Sequence, residues 1–364
     1  MNTELLKLGK YSEQKIVDTF GTNAQKKSFQ EKGKLTGSYK TKLLETAARY
    51  CKITELPNRY YVISEIYKYP IPKQFTQMNR SLYKYITPLL LYHLINGHDA
   101  DNAITLTVGK WAREIKMINH NYTLIKNNKE QTHEEYGLDV DLMYEFYDKS
   151  DTAIESYIIN ALNYLKAATC IIWNEVYYVV EEVTDNNTVI DEDGVISTFI
   201  HLNEHVASKE EKSFYAQCIK YADEQLGITN ASERYYSQKS QEWNRLLKRK
   251  LYERKYKLFY KAYEAYYVNL DKCQALLNLF DEKNQDILYN MLSTQFTSYI
   301  LTNAENRLLK NPGKYKRYDD MQFTYCEQFE NLCDMVINPQ TEYLGNKIEM
   351  KNPIKYTLRI KENQ

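Results

Sequence analysis

The sequence predicts an α+β chain, predominantly helical, and three observations point there. Glycine (11) and proline (7) are scarce among 364 residues, too few for a fold of many tight turns. Apolar residues recur at three- and four-residue spacing over long segments, the period of a helix face. Alternating segments of strand type are few and short. At 43.3 kDa, with 43% hydrophobic and 26% charged residues, the chain has the bulk and balance of a globular protein of two or three domains. Tyrosine is the outlier, at 35 residues.

Taken in order, residues 1–30 read as a short helix and a polar arm. In "GKLTGSYKTKLLETAARYCKITELPNRYYVISEIYKYPIPK", residues 33 to 73, Ser38 can cap a helix from Lys40 to Lys52, with Leu43, Leu44, Ala47 and Tyr50 on one side. Pro57-Asn58 makes a turn, and "RYYVISEIYKYP" alternates through Tyr61 and Ile63 as a strand ending at Pro70. This stretch resembles a helix-plus-hairpin module at the front of many phage and plasmid proteins of low-GC Gram-positive bacteria. The likeness rests on Gly37, Tyr39, Lys40, Lys42, Leu43, Tyr50, Tyr60, Ile63, Glu65, Ile66 and Tyr67. It implies a DNA-associated protein of a mobile element.

From Ser81 the pattern changes. "SLYKYITPLLLYHLING" is an apolar helix interrupted near Pro88 and stopped at Gly97. "AITLTV", from Ala103, is a strand by its β-branched alternation, and "VGKWAREIKM" a helix with Trp111, Ile115 and Met117 inward. A polar stretch leads to a helix with Ile154, Ile158, Leu162 and Leu165 on one stripe, which passes directly into a strand carrying Ile172, Val176, Tyr178 and Val180. "VISTFIHL", from Val195, is a return strand beyond "DEDG". This order resembles a winged helix-turn-helix. Two departures stand out: more than 30 residues separate Met117 from Thr152, and the wing is acidic (Glu181, Glu182, Asp185, Asp191, Glu192, Asp193). The last third reads as helices over 208–226, 237–269, 284–310 and 319–336, and "NPIKYTLRI", from Asn352, as a terminal strand. The expected domains are therefore a basic N-terminal arm and module over 1–80, a winged-helix-like domain with an acidic insertion over 81–206, and a helical domain over 207–364.

Charge is segregated although the net charge is zero. Residues 1–100 hold 16 Lys+Arg against 8 Asp+Glu, residues 101–230 hold 10 against 23, and residues 231–364 hold 22 against 17. Such layout bears on partners rather than fold. No apolar run of seven or more residues follows a basic start, so no signal peptide is expected. The longest apolar runs are about half the ~20 residues needed to span a bilayer. The six cysteines, at 51, 170, 218, 273, 326 and 333, include no C-x-x-C and read as reduced thiols of a cytoplasmic protein.

Catalytic motifs are missing. There is no phosphate-cradling G-x-x-x-x-G-K-[ST], no G-x-G-x-x-G and no G-x-S-x-G. No histidine begins H-x-H or H-x-x-R, so the abundant tyrosines lack the usual partners of DNA-breaking chemistry. His201 and His205 are four apart, but at a strand end they would not converge on a metal. "VIDEDGVISTFI" lacks the first and last ligands of a calcium loop. No catalytic residue, metal or cofactor is assigned.

The strongest binding signal is "WNRLLKRKLYERKYKLFYK", residues 243 to 261. Read as one helix, it carries eight cations (Arg245, Lys248, Arg249, Lys250, Arg254, Lys255, Lys257 and Lys261) against Glu253. Phosphates are one partner for such a face, through counterion release. The acidic middle block of the same chain is another, and a membrane surface a third. Lys32, Lys34, Lys40, Lys42 and Lys52 make a second cluster, of the kind that tracks a phosphate backbone beside a groove-binding helix. The acidic wing would repel DNA, so the central segment reads as a core or protein-contact module, with any DNA contact coming from the flanking basic blocks. The functional expectation is a non-enzymatic DNA-binding protein of a phage or plasmid, in replication, partition or transcriptional control. The alternative is an effector that binds a host protein through the acidic block as a partial nucleic-acid mimic.

Overall fold

The computed structural model describes residues 6–97, 103–190, 196–235 and 237–346. The chain is an α+β protein, predominantly helical, with two antiparallel sheets among the described residues. The first unit comprises β1 (Gly9–Ser12), α1 (Glu13–Phe20), α2 (Asn23–Lys32), α3 (Gly37–Ala48), β2 (Cys51–Leu56) and β3 (Tyr60–Ile66). Its sheet runs β1-β3-β2. Residues 1–30, expected as a short helix and a polar arm, hold the helix α1, but the rest from Gly9 onward is folded too, because Ile16, Val17, Phe20 and Phe29 join Leu43, Ala47, Tyr61 and Ile63 in one buried core. The helix expected to begin at Lys40 with a Ser38 cap begins at Gly37, and Thr36 precedes it with no side-chain cap bond.

The body begins with α4 (Phe75–Met78), α5 (Tyr83–Asn96), β4 (Ala103–Leu106) and α6 (Val108–Glu114). It continues through α7 (Asn121–Asn127), α8 (Lys129–Tyr136), α9 (Val140–Ala167), β5 (Ile171–Ile190) and β6 (Ile196–Val206). Then come α10 (Lys209–Leu226), α11 (Ala231–Tyr235), α12 (Ser240–Tyr252), β7 (Tyr256–Tyr267) and α13 (Leu270–Leu277). The last described helices are α14 (Gln285–Lys310), α15 (Pro312–Tyr315) and α16 (Tyr325–Val336). Asp139 caps α9 by accepting the Leu142 N–H at 2.8 Å. From there Leu142, Phe146, Ala153, Ile154, Ile158, Ala161, Leu162 and Leu165 keep one buried stripe over 28 residues. In α14 the stripe is Leu288, Leu292, Phe296, Ile300 and Ala304, packed into the same core as α5 and α16. Burying each such Leu or Phe contributes about 1.5–3 kcal/mol. Pro88 lies inside α5 and is buried, so it does not interrupt that helix.

Two findings concern the centre. The insertion expected between Met117 and Thr152 is helical, filled by α7, α8 and the first half of α9. And β4 does not join the β5–β6 hairpin: the order is β4-β7-β5-β6, with β7 between them. A helix–strand–helix–helix–hairpin order is present, but the sheet of a winged helix is not closed by it. Three short helices followed by a hairpin, with the sheet completed by a strand from the start of the unit, occur instead at residues 9–66.

The segment expected as one basic helix over 237–269 divides at Lys255, whose φ of 59° leaves the helical region. Beyond it, "YKLFYKAYEAYY" is a strand, as its aromatic density favours. Near the start of β7 Phe259 enters a small core with Val179, Phe214, Trp243 and Leu247, whereas further along the same face Tyr263 and Ala265 enter the main core. The strand thus fastens the α10–α12 layer to the body across the expected boundary at 206/207. The terminal strand expected over 352–360 lies outside the described residues.

Candidate nucleic-acid interface

The N-terminal unit positions its cations through a few polar ties. Thr22 and Gln25 form a capping box on α2, and the buried Gln25 side chain donates to the Tyr39 carbonyl at 2.9 Å, holding the first turn of α3. Glu13, buried at the start of α1, accepts the Leu35 N–H at 3.2 Å and so fixes the α2–α3 connection. Leu43 and Ala47 bury the inner side of α3, leaving Ser38, Tyr39, Thr41, Lys42 and Glu45 exposed. Lys40 leans back onto β2 and donates to Glu55 at 2.5 Å, and that bond raises its pKa.

The hairpin between β2 and β3 turns through Asn58 and Arg59, both with φ near 60°, a conformation Asn adopts readily. Arg59 Nη1 donates to the Gly33 carbonyl at 3.0 Å, and the guanidinium lies 3.9 Å from Glu13. The hairpin turn is therefore fastened beside Lys32 and Lys34, at the loop that leads into α3. Lys32, Lys34 and Lys42 are exposed. Residues 6–66 hold 12 Lys+Arg against 6 Asp+Glu. Arg59 was absent from the expected set; its signal was its place in the Pro57-Asn58-Arg59 turn.

The second expected cluster is not one surface. Arg245, Lys248, Arg249 and Lys250 belong to α12, Arg254 and Lys255 to the turn after it, and Lys257 and Lys261 to β7. Arg245 pairs with Glu242 at 2.7 Å and Lys250 with Glu253 at 2.8 Å. Arg249 donates to the Tyr221 hydroxyl at 3.1 Å, and Arg254 stacks on Phe214 with 4.1 Å to the ring centre. Lys257 pairs with Glu182 on β5. Lys261 pairs with Glu155 at 2.9 Å and lies 3.7 Å from Glu175. Burial opposes the Lys261 charge, but the bonds to Tyr263 and Glu155 outweigh it and raise its pKa. Lys248 and Lys255 are exposed. Half of the eight cations are thus ion-paired, and Lys257 and Lys261 pair with carboxylates of the acidic middle block.

That block is occupied elsewhere as well. Asp223 receives a two-pronged bond from Arg234 and the Trp243 indole N–H. Glu145 accepts from Arg307 Nε at 3.0 Å, Tyr325 at 2.6 Å and Lys314 at 3.5 Å, while Arg317 reaches Asp139 and Asp141 at 3.3 Å. Of these, Asp141, Glu145, Arg307, Lys314 and Arg317 line a cleft of about 700 Å³ with Tyr144, Tyr315 and Tyr318. Of the expected wing acids, Glu181 bonds Asn203, and Asp185, Asp191, Glu192 and Asp193 lie outside the residues whose side chains are described.

His205 turns from any metal role toward Glu211, 2.9 Å from its Nε2. Among the described residues no group of three or more His, Cys, Asp or Glu is placed to hold a metal ion, and no helix is long and apolar enough to cross a membrane. Comparison of the chain with family models, curated proteins and solved structures found no match.

Proposed function

We propose that the protein binds duplex DNA through residues 6–66, with α3 as the helix that meets the groove and Lys32, Lys34, Lys42 and Arg59 as its phosphate contacts. The single observation that carries this reading is the Arg59–Gly33 bond, which brings the hairpin turn beside Lys32 and Lys34 at the loop before α3. A helix of this width enters a major groove, and cations beside it fix register on the backbone without reading sequence. Lys40 contributes less, since Glu55 holds it. Residues 245–261 are a minor contributor, because half of their cations are matched within the protein. The resemblance of residues 33–73 to phage and plasmid proteins supports a role in replication, partition or transcriptional control of such an element.

The test is a titration of a fluorescent 25-base-pair duplex with the full chain at 50 mM and 200 mM salt. Binding at 50 mM that weakens steeply at 200 mM is expected; absence of binding at 50 mM rejects the proposal.

A further inference from the structure

Residues 67–74 leave the N-terminal unit as a strap that carries the chain to the body. Backbone bonds hold the strap to the end of α3. The Tyr67 N–H donates to the Tyr50 carbonyl at 2.9 Å, and the Ile71 N–H to the Arg49 carbonyl at 2.7 Å. Arg49 Nε returns a bond to the Ile71 carbonyl at 2.9 Å. On its other side the strap faces α13, where Lys68 pairs with Asp271 at 2.8 Å. Both of those side chains are more than half exposed, so the pair contributes little.

Between strap and helix lies a pocket of about 330 Å³, bordered by Tyr67, Tyr69 and Pro70 on one side and by Ala275, Leu276 and Leu279 on the other. An apolar, aromatic lining with few polar groups is the usual make-up of a small-ligand site. The charged groups at this pocket differ in what they meet. Lys68 is matched by Asp271, and Glu65 is exposed on β3, where water screens it. Lys272 is half-buried in the wall, and its ammonium donates to the Thr169 hydroxyl rather than to a carboxylate. Thr169 holds a φ of 57°, which a β-branched residue rarely adopts. A strained residue thus positions this ammonium.

We infer that the pocket binds a small aromatic carboxylate, with its anion on Lys272 and its ring against the strap tyrosines, Leu276 and Leu279. A cation in an apolar wall with only a neutral partner lacks a counter-charge, and a hydrogen bond between ions is the stronger kind. One lysine offers a single charge. No arginine borders the pocket to grip a phosphate by a two-pronged bond, which favours a carboxylate. Because the strap is bonded to the end of α3, such a ligand bridges the N-terminal unit and the body. The site is independent of the DNA-binding reading.

The test is calorimetric titration of the full chain with naphthoate, a probe of this class, and with naphthalenemethanol, its neutral counterpart. Saturable one-to-one binding of naphthoate is expected, with the alcohol about tenfold weaker or more. Lys272→Met keeps the aliphatic stem and should weaken naphthoate about tenfold while leaving the alcohol unchanged. Ala275→Phe fills the pocket and should abolish binding of both, with circular dichroism confirming that each variant is folded. The comparison of acid with alcohol uses the parent chain and needs no variant to fold. Absence of saturable naphthoate binding up to about 1 mM overturns the inference. So does equal affinity for acid and alcohol, or naphthoate binding that both folded variants retain.

Discussion

Replacing Lys32, Lys34 and Lys42 together by alanine should cripple duplex binding while leaving the fold intact. All three side chains are exposed, and none belongs to the core that Phe29, Leu35 and Leu43 build beneath them. Each lysine that meets a phosphate contributes a slope of about −0.9 to the dependence of log K on log salt. Three of them contribute about −2.7, which at 0.1 M salt amounts to roughly 500-fold in affinity. Lys40→Ala should cost far less, because Glu55 already holds that ammonium. The assay is fluorescence anisotropy with one duplex across a series of salt concentrations, with circular dichroism to confirm folding. A triple variant that binds with the parent slope refutes the reasoning. So does a Lys248→Ala/Lys255→Ala double variant that loses more than the N-terminal triple.

Three further outcomes follow from the geometry. Glu145→Ala strips Arg307, Lys314 and Tyr325 of their common acceptor and should cost about 2–3 kcal/mol in urea unfolding, below the fully buried case because the pair is partly solvated; an unchanged midpoint contradicts this. Burial alone would raise the Glu211 carboxyl, but donors from Ser208, His205 and Tyr256 bring it down to about 2. Its folded pKa lies below the unfolded value of about 4.3, so its stabilisation is present above that pH and lost between about pH 5 and pH 2. Allowing for solvent screening, about 1–2 kcal/mol of acid sensitivity should disappear in Glu211→Gln. Lys129 is buried and lies over the rings of Tyr144 and Tyr147; desolvation first, then the neighbouring Lys126 charge, lowers it to about 8. Its folded pKa is below the unfolded one, so stability should rise between about pH 8 and pH 10, and Lys129→Met should flatten that rise and stabilise the protein at pH 7 by about 1–3 kcal/mol.

Helices with an uninterrupted stripe and a clear cap were legible from sequence. The spacing predicted 284–310 and 208–226, and α14 and α10 run Gln285–Lys310 and Lys209–Leu226. The β5–β6 hairpin was legible for the same reason, as alternation around "DEDG". What failed was β7. "LYERKYKLFYKAYEAYY" places Leu251, Leu258 and Ala262 at helix-like spacing, and nothing local reveals that a sheet gap between β4 and β5 awaits a strand. Tertiary pairing decided that segment, as it commonly does where propensity is divided. Lys32, Lys34, Lys40 and Lys42 were legible as a cluster because they are close in sequence. The neutralisation of Lys257 and Lys261 was not, since Glu155 lies 106 residues from Lys261. The Glu145 cleft was equally hidden, its donors lying 162 to 180 residues away. Such distant pairings leave no periodic trace in the chain that makes them.

Hydrogen–deuterium exchange of the full chain, with and without a saturating duplex at low salt, tests most directly where DNA is bound. Protection is expected over residues 32–45 and the 56–60 turn, with residues 245–261 exchanging as in the free protein. Protection centred on 245–261, with α3 unchanged, would contradict the account.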